Sequence, residues 1–332
     1  MKLATYQDGS RDGHLVVVSR DLSTAHFVSG IASRMSQLLD DWSFLSPALE
    51  DLYVTLNQGK ARHAFPFEPA QCMAPLPRAS RVAWASPWRH HHQLLAESEG
   101  RVLEDGALAQ PWIGSLPADL LTGPRADLQV SAPALQAGEL DAEAQLAVVG
   151  AELPLGAPPA AALERVRLFG LALGWTSRAL ARAERAAGQP PLGSRLGVGM
   201  APVLVTPDEL GEAWRGGRLS LPLSLHVNGR RLGQCDSGKD LGWTLGQLLA
   251  WQARTQRLGG GHLLLAGPVS PAEPGKGAGC VADARAWAAR AGRDPDTHPW
   301  LEPGDEVLLE ALGADGQSVF GALRQTLTGW DE

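Results

Sequence analysis

Two stretches of alternating apolar residues flank the dipeptide Asn228-Gly229 in LSLPLSLHVNGRRLGQCD, residues 219–236. Asn-Gly is favoured in the tight turns of hairpins, because both central residues of a type I′ turn have positive φ. The stretch therefore predicts a two-stranded hairpin. The C-terminal stretch EVLLEALGADGQSVFGALRQTL repeats the pattern around Asp315-Gly316. Since isolated hairpins are only marginally stable, they must belong to sheets, and we expect a β-rich α+β fold.

Helix signals lie between these strands. Thr206 and Glu209, and likewise Thr244 and Gln247, have the spacing of a capping box, which predicts a helix beginning after each threonine. The Ala-, Leu- and Arg-rich stretch 158–187 has helical periodicity, interrupted near Gly170 and Gly174, and predicts another helical segment.

The length of 332 residues suits a large domain with a small one beside it. The Pro-rich run 64–80 predicts the boundary, so we expect a small N-terminal β module over 1–75 and a main domain over 76–332. A net charge of −7 argues against a nucleic-acid partner. No apolar run is long enough to predict a membrane span, and the absence of a signal-like segment favours the cytoplasm.

DAEAQLAVV, residues 141–149, predicts a core strand with Glu143 and Gln145 on one face. Two carboxylates at that spacing would form half of an oxygen cage for a hard cation. Because the second residue is a carboxamide, the residues alone leave three interpretations open: a metal site, a former metal site, or a strand with a polar edge.

Several stretches, spread in order along the whole chain, resemble the fumarylacetoacetate hydrolase superfamily in its bacterial branch. They are MKLATYQDGSRDGHLVVVSRDLS, QCMAPLPRA, EAQLAVV, APVLVTPDELG, VNGRRLGQCDSG and GDEVLLEALGADGQSVFGAL. The resemblance implies a mixed β-roll with a small N-terminal module, assembled as a homodimer. It also implies cleavage, decarboxylation or isomerisation of oxo-acids, with Mg²⁺ or Ca²⁺ held by four carboxylates and a histidine, oriented by a glutamate, that activates water.

The resemblance places the family's functional positions on specific residues of this chain. The catalytic histidine falls on His91, its orienting glutamate on Asp283, and the lysine on Arg195. The threonine of the family's Gly-Thr-Val-Ser turn falls on Pro268. The four metal carboxylates fall on Trp84, Glu143, Gln145 and Gly174. Since three of these four are not carboxylates, the resemblance implies a former metal site, and we expect no metal and no other cofactor.

Tryptophan is unusually frequent in this chain, at 11 residues against 6 phenylalanines and 2 tyrosines. We interpret part of this excess as an aromatic pocket that replaced the charged one. The alternative is that these tryptophans are ordinary core, that His91 and Asp283 are structural, and that Arg178 is a surface helix residue. The predicted catalytic residues are His91, Asp283 and Arg195, and the predicted substrate-binding residues are Trp84, Trp88, Trp112, Trp175, Arg178, Glu143 and Gln145.

The leading hypothesis is an enzyme that works without metal, in which His91 moves a proton on an enolisable carbonyl compound or oxo-acid. Cyclisation, tautomerisation, dehydration and C–C cleavage are the reactions open to it, in a specialised biosynthetic pathway. A second hypothesis is a non-catalytic relative that binds a ligand or a partner. A third is a metal-dependent hydrolase of acylpyruvate or fumarylacetoacetate type. For a working dyad, we expect one water to bridge His91 and Asp283, because aspartate is shorter than the family's glutamate.

Overall fold

The computed structural model of the protein describes residues 1–104 and 106–330, and the last two residues of the predicted main domain lie outside this description. The helices are Met35–Asp40 (α1), Trp42–Asn57 (α2), Arg89–Ser98 (α3), Ala132–Ala137 (α4), Pro159–Glu164 (α5), Arg178–Ala186 (α6), Leu245–Ala253 (α7) and Val281–Arg290 (α8). Short 3₁₀ turns lie at Pro69–Gln71, Ala118–Leu120, Pro207–Ala213, Pro274–Lys276 and Pro295–Thr297. No helix among the described residues is long and apolar enough to cross a bilayer.

The first half of the chain contributes strands Lys2–Tyr6 (β1), His14–Val18 (β2), Thr24–Phe27 (β3), Phe65–Pro66 (β4), Arg81–Ser86 (β5), Trp112–Leu116 (β6), Leu121–Thr122 (β7), Leu128–Val130 (β8) and Leu140–Gly150 (β9). The second half contributes Val166–Ser177 (β10), Arg195–Met200 (β11), Leu204–Val205 (β12), Trp214–Arg215 (β13), Arg218–Leu219 (β14), Pro222–Val227 (β15), Arg230–Asp236 (β16), His262–Ala266 (β17), Glu306–Ala311 (β18) and Leu323–Gly329 (β19). The predicted β-rich α+β class is confirmed.

A sheet of twelve strands carries most of the fold, in the order β4-β3-β2-β1-β12-β10-β9-β17-β5-β6, with β11 beside β10 and β7 beside β11. The strands of the predicted N-terminal module thus join the main sheet through β12. A second sheet has the order β16-β15-β18-β19-β8, and it contains both predicted hairpins.

The core lies on both faces of the large sheet, because alternate residues of β9 point to opposite sides. Ala142, Ala144, Leu146 and Val148 belong to one buried cluster. Ala147 and Val149 belong to the other. We call these clusters the first and the second core. The central strands are therefore covered on both sides.

This two-sided burial explains why the helix prediction is wrong over residues 166–177. The predicted stretch begins and ends as helix, in α5 and α6, but between them it forms the long buried strand β10, which pairs with β9 along its length. A strand covered on both faces has no alternation of apolar and polar residues, so its composition does not distinguish it from a helix.

The two predicted capping boxes have different outcomes. Thr244 and Gln247 form the complete box at the start of α7. Thr206 makes no such cap, and a short 3₁₀ segment follows it, because its hydroxyl donates to the backbone oxygen of Met1 at 3.3 Å and Glu209 pairs with Arg20 at 3.2 Å.

Candidate functional site

A histidine and a carboxylate meet where helices α3 and α8 begin. His91 and Asp283 are each the third residue of their helix, and both are buried. Nδ1 of His91 donates to Oδ1 of Asp283 at 2.7 Å. The expected water bridge is therefore wrong, because the packed helices bring the two backbones close enough for a direct bond. The bond places a proton on Nδ1, which leaves Nε2 as the nitrogen that can exchange a proton with a substrate.

Asp283 remains ionised although it is buried. Burial alone would raise its pKa, but the adjacent His91, the hydroxyl of Ser270 and the charge of Arg178 together lower the pKa to about 2. The carboxylate is thus available to orient the imidazole and to stabilise the imidazolium that forms when His91 accepts a proton.

The neighbouring histidines of α3 have different partners. Nδ1 of His90 lies 3.4 Å from the Ser270 hydroxyl, and Nε2 of His92 donates to the backbone oxygen of Ser86 at 3.0 Å. Burial lowers the pKa of His92 to about 4, so its ring is neutral near pH 7. Among these three histidines, His91 is the one bonded to a carboxylate.

The positions implied for a metal cage share one face of strands β5, β9 and β10. Glu143 pairs with Gly174 in the β9–β10 register, and a Cβ atom built at Gly174 would lie 2.4 Å from Nε2 of Gln145 and 3.4 Å from Oε2 of Glu143. The carboxamide of Gln145 therefore occupies the space that a side chain at position 174 would need.

Two guanidinium groups and a carboxamide surround the carboxylate of Glu143. Oε2 accepts from Nη1 of Arg195 and from Nε2 of Gln145, both at 2.7 Å, while Oε1 lies 2.9 Å from Nη2 of Arg178. Burial would raise the pKa of Glu143, but Arg195, Arg178 and His91 lower it to about 2. The charge of the anion is thus balanced by arginines.

These residues do not fit a hard divalent cation. Mg²⁺ and Ca²⁺ need several oxygen ligands, commonly carboxylates, whereas only Glu143 among the four implied ligand positions is a carboxylate, and its oxygens already face positive groups. A different set, His91, Cys280 and Asp283, presents ligand atoms within 4.8 Å of one another. The histidine and aspartate of that set are bonded to each other, and burial raises the pKa of the Cys280 thiol well above its usual range.

Trp84, at one of the positions implied for the metal cage, contacts Arg195. The guanidinium carbon of Arg195 lies 4.6 Å from the centroid of the indole, within the range of a cation–π contact. Gly114 is opposite Trp84 in the β5–β6 register, and a Cβ atom there would come within 2.3 Å of the indole nitrogen. The absence of a side chain at Gly114 therefore leaves the space that the indole occupies. In this position Trp84 is 8% exposed.

Two of the other predicted pocket tryptophans, Trp88 and Trp175, lie in the first core, so the expectation that all four tryptophans share one pocket is wrong. Trp175 belongs to the first core, on the opposite face from Trp84, and donates to Oε1 of Gln325 at 2.8 Å. Trp88 is fully buried in the first core and donates to the backbone oxygen of Lys239. Trp112 is 38% exposed and packs on the ring of His92 at 4.4 Å.

Arg178 and Asp141 form a buried pair behind Glu143. Nε of Arg178 donates to Oδ2 of Asp141 at 2.8 Å, and both side chains are buried. Arg178 is therefore neither a surface residue nor free to clamp a substrate. Sequence analysis missed Asp141, although alternation along a strand places residues 141, 143 and 145 on the same face.

Comparison with known proteins identifies the family. The chain matches the family profile described as Fumarylacetoacetase N-terminal domain 2 over residues 1–78. It matches Fumarylacetoacetate (FAA) hydrolase C-terminal over residues 85–328. The chain therefore belongs to the fumarylacetoacetate hydrolase family, as the sequence resemblance implies. No protein with a curated functional description matches this sequence.

Solved structures share the fold at low sequence identity. Maleylpyruvate hydrolase from Sphingobium sp. SYK-6, in complex with manganese(II) and pyruvate, aligns over 100% of both chains with 16% identity and a TM-score of 0.66. 5-Carboxymethyl-2-hydroxymuconate delta-isomerase from Mycobacterium smegmatis also aligns over 100% of both chains, with 19% identity and a TM-score of 0.61. These similarities establish a common fold.

Proposed function

We propose that this protein is a metal-independent enzyme in which His91 moves a proton on an enolisable carbonyl compound. The observation that carries the proposal is the buried 2.7 Å bond from His91 to Asp283, which fixes the tautomer that a general base needs. In this proposal, Asp283 orients the ring and stabilises its protonated form.

Arg195 supplies the positive charge for the substrate's oxygen. One of its terminal nitrogens is bonded to Glu143 and its guanidinium carbon lies 4.6 Å from the centroid of the Trp84 ring, so contacts on two sides hold the group in place. A fixed cation at the substrate's oxygen stabilises the enolate that forms when an α-proton leaves. An oxo-acid carrying a carboxylate or carbonyl oxygen at Arg195 is thus the substrate class that we propose.

The experiment measures how fast simple 2-oxo acids and 1,3-diketones exchange their α-protons in D₂O. EDTA is present throughout, and the loss of the proton NMR signal monitors the exchange. We expect the protein to accelerate exchange of at least one compound, and His91→Ala to lose that acceleration. His90→Gln, on the same helix but without the carboxylate bond, is the matched control and should retain it. Exchange that EDTA abolishes, or that His91→Ala retains, would contradict the proposal.

A non-catalytic relative is the second candidate, and the burial of the site favours it. Trp84, His91 and Gln145 are 8%, 3% and 3% exposed, so the space around these side chains is closely filled. Under this candidate, none of the compounds exchanges faster with the protein than without it. Such a result with well-folded protein would replace the first candidate by the second.

A further inference from the structure

The carboxylate of Asp141 connects strand β9 to helix α8. Oδ1 accepts from the backbone N–H of Val281 at 2.6 Å, and Oδ2 accepts from that of Ala282 at 3.2 Å. The same carboxylate pairs with Arg178, and its side chain is fully buried. Asp141 thus accepts hydrogen bonds from the first two N–H groups of a helix that lies 140 residues further along the chain.

Helix α8 has no cap of its own. Cys280 stands at the N-cap position but makes no side-chain capping bond. The first N–H groups of a helix have no partner within the helix, and a carboxylate there also interacts favourably with the helix dipole. Because the cap comes from β9, the strand fixes where α8 begins relative to the large sheet.

The next residue of α8 after those two is Asp283. Its bond to His91 is 2.7 Å long, and a displacement of α8 by less than 1 Å would carry it beyond the ordinary range for an N–H to oxygen bond, which ends near 3.2 Å. We propose that Asp141 is a positioning residue that holds Asp283 at bonding distance from His91. This inference rests on the proposed function, in which that bond prepares the base.

The experiment uses the full chain labelled with ¹⁵N-histidine and requires no substrate. The resonances of His91 are assigned by their absence from the spectrum of His91→Ala. Asp141→Asn retains an oxygen that can accept one N–H but removes the charge and the second acceptor. Glu139→Gln is the matched control, because Glu139 precedes the same strand and pairs with Arg182 at the surface.

Wild-type protein and Glu139→Gln should show His91 with its proton on Nδ1, bonded and slow to exchange. In Asp141→Asn we expect the Nδ1–H signal to be lost and the two ring nitrogens to shift towards a mixture of tautomers. If wild-type His91 itself lacks the Nδ1 proton, the proposed function fails. If wild-type His91 has the Nδ1 proton but Asp141→Asn gives the same His91 signals, the positioning role of Asp141 is wrong and the proposed function is unaffected.

A second variant separates positioning from simple helix stability. Serine is a favoured N-cap residue, so adding Cys280→Ser to Asp141→Asn gives helix α8 a cap from its own chain segment. The double variant also provides folded protein if the single variant does not fold. The proposal expects the double variant to regain Tm without regaining the wild-type His91 signal. Recovery of both would show that capping alone accounts for Asp141 and would overturn its positioning role.

Discussion

The residue pair on helices α3 and α8 and the four implied metal positions on the strands differ in how closely this chain follows the pattern that the family resemblance implies. On α3 and α8, His91 and Asp283 form the arrangement of base and orienting carboxylate that the family resemblance implies. On the strands, the positions implied for metal ligands hold Trp84, Glu143, Gln145 and Gly174, and Glu143 is paired with arginine. The comparison shows that the histidine–carboxylate pair is present on the helices, whereas on the strands arginines face the one carboxylate among the four implied metal positions.

The largest expected effect concerns the charge balance around Glu143. Glu143→Gln should lower the free energy of unfolding by about 3–5 kcal/mol, because it leaves buried guanidinium groups undercompensated. Glu139→Gln, which breaks the partly exposed pair with Arg182, should cost at most about 1 kcal/mol. Urea denaturation of both variants measures the difference. Equal losses would show that Glu143 is not the centre of a buried ionic cluster.

The second prediction concerns how the free energy of unfolding falls at acid pH in the two regions. The pKa values of Asp283 and Glu143 are both lowered to about 2, from 3.8 and 4.5. Each carboxylate therefore contributes stability that is fully present above its unfolded pKa and is lost as the pH falls towards 2. The contribution is roughly 2–3 kcal/mol for each group.

Asp283→Asn and Glu143→Gln should each flatten the fall in stability between about pH 4.5 and pH 2. The free energy of unfolding, measured in denaturant at a series of pH values, gives the slopes. A slope that stays at the wild-type value in one variant would show that the replaced carboxylate is not held ionised in that region.

The fold and the site could be predicted from the sequence to different extents. The Asn228-Gly229 hairpin and the β-rich class could be predicted because their signals are local. The His91–Asp283 pairing followed from the family resemblance, but its direct contact depends on how closely α3 and α8 pack. No local pattern encodes that distance.

One error in local structure produced another in the site. Because residues 166–177 were predicted as helix, the side-chain direction of Trp175 could not be derived. Once the segment is a strand, Trp175 must point away from the face of Gly174, since neighbouring residues alternate. Asp141 was missed for a different reason: its partners in α8 are distant in sequence, and only its parity with Glu143 indicated that it shares the face.

The smallest stability effect tests the fit of Trp84. Gly114→Ala should destabilise the protein by about 1–3 kcal/mol, because the new methyl group would overlap the indole. Gly30→Ala is the matched control, since no atom lies within 4 Å of its Cβ position, and it should change stability by less than about 0.5 kcal/mol.

A double-mutant cycle completes this test. In a Trp84→Ala background, Gly114→Ala should lose most of its cost, because the two residues occupy the same space. Thermal unfolding of the four proteins in the cycle gives the coupling. Additive effects would mean that the indole does not lie over Gly114.

The most direct test of the central claim is anomalous diffraction from crystals soaked in Mn²⁺, a cation that oxygen cages of this kind accept. If arginines have replaced the cation, the anomalous map will show no peak among residues 84, 143, 145 and 174, and Glu143 will remain bonded to Arg195 and Arg178. A manganese peak coordinated by Glu143, with either arginine displaced, would contradict the account and return metal-dependent hydrolysis to first place.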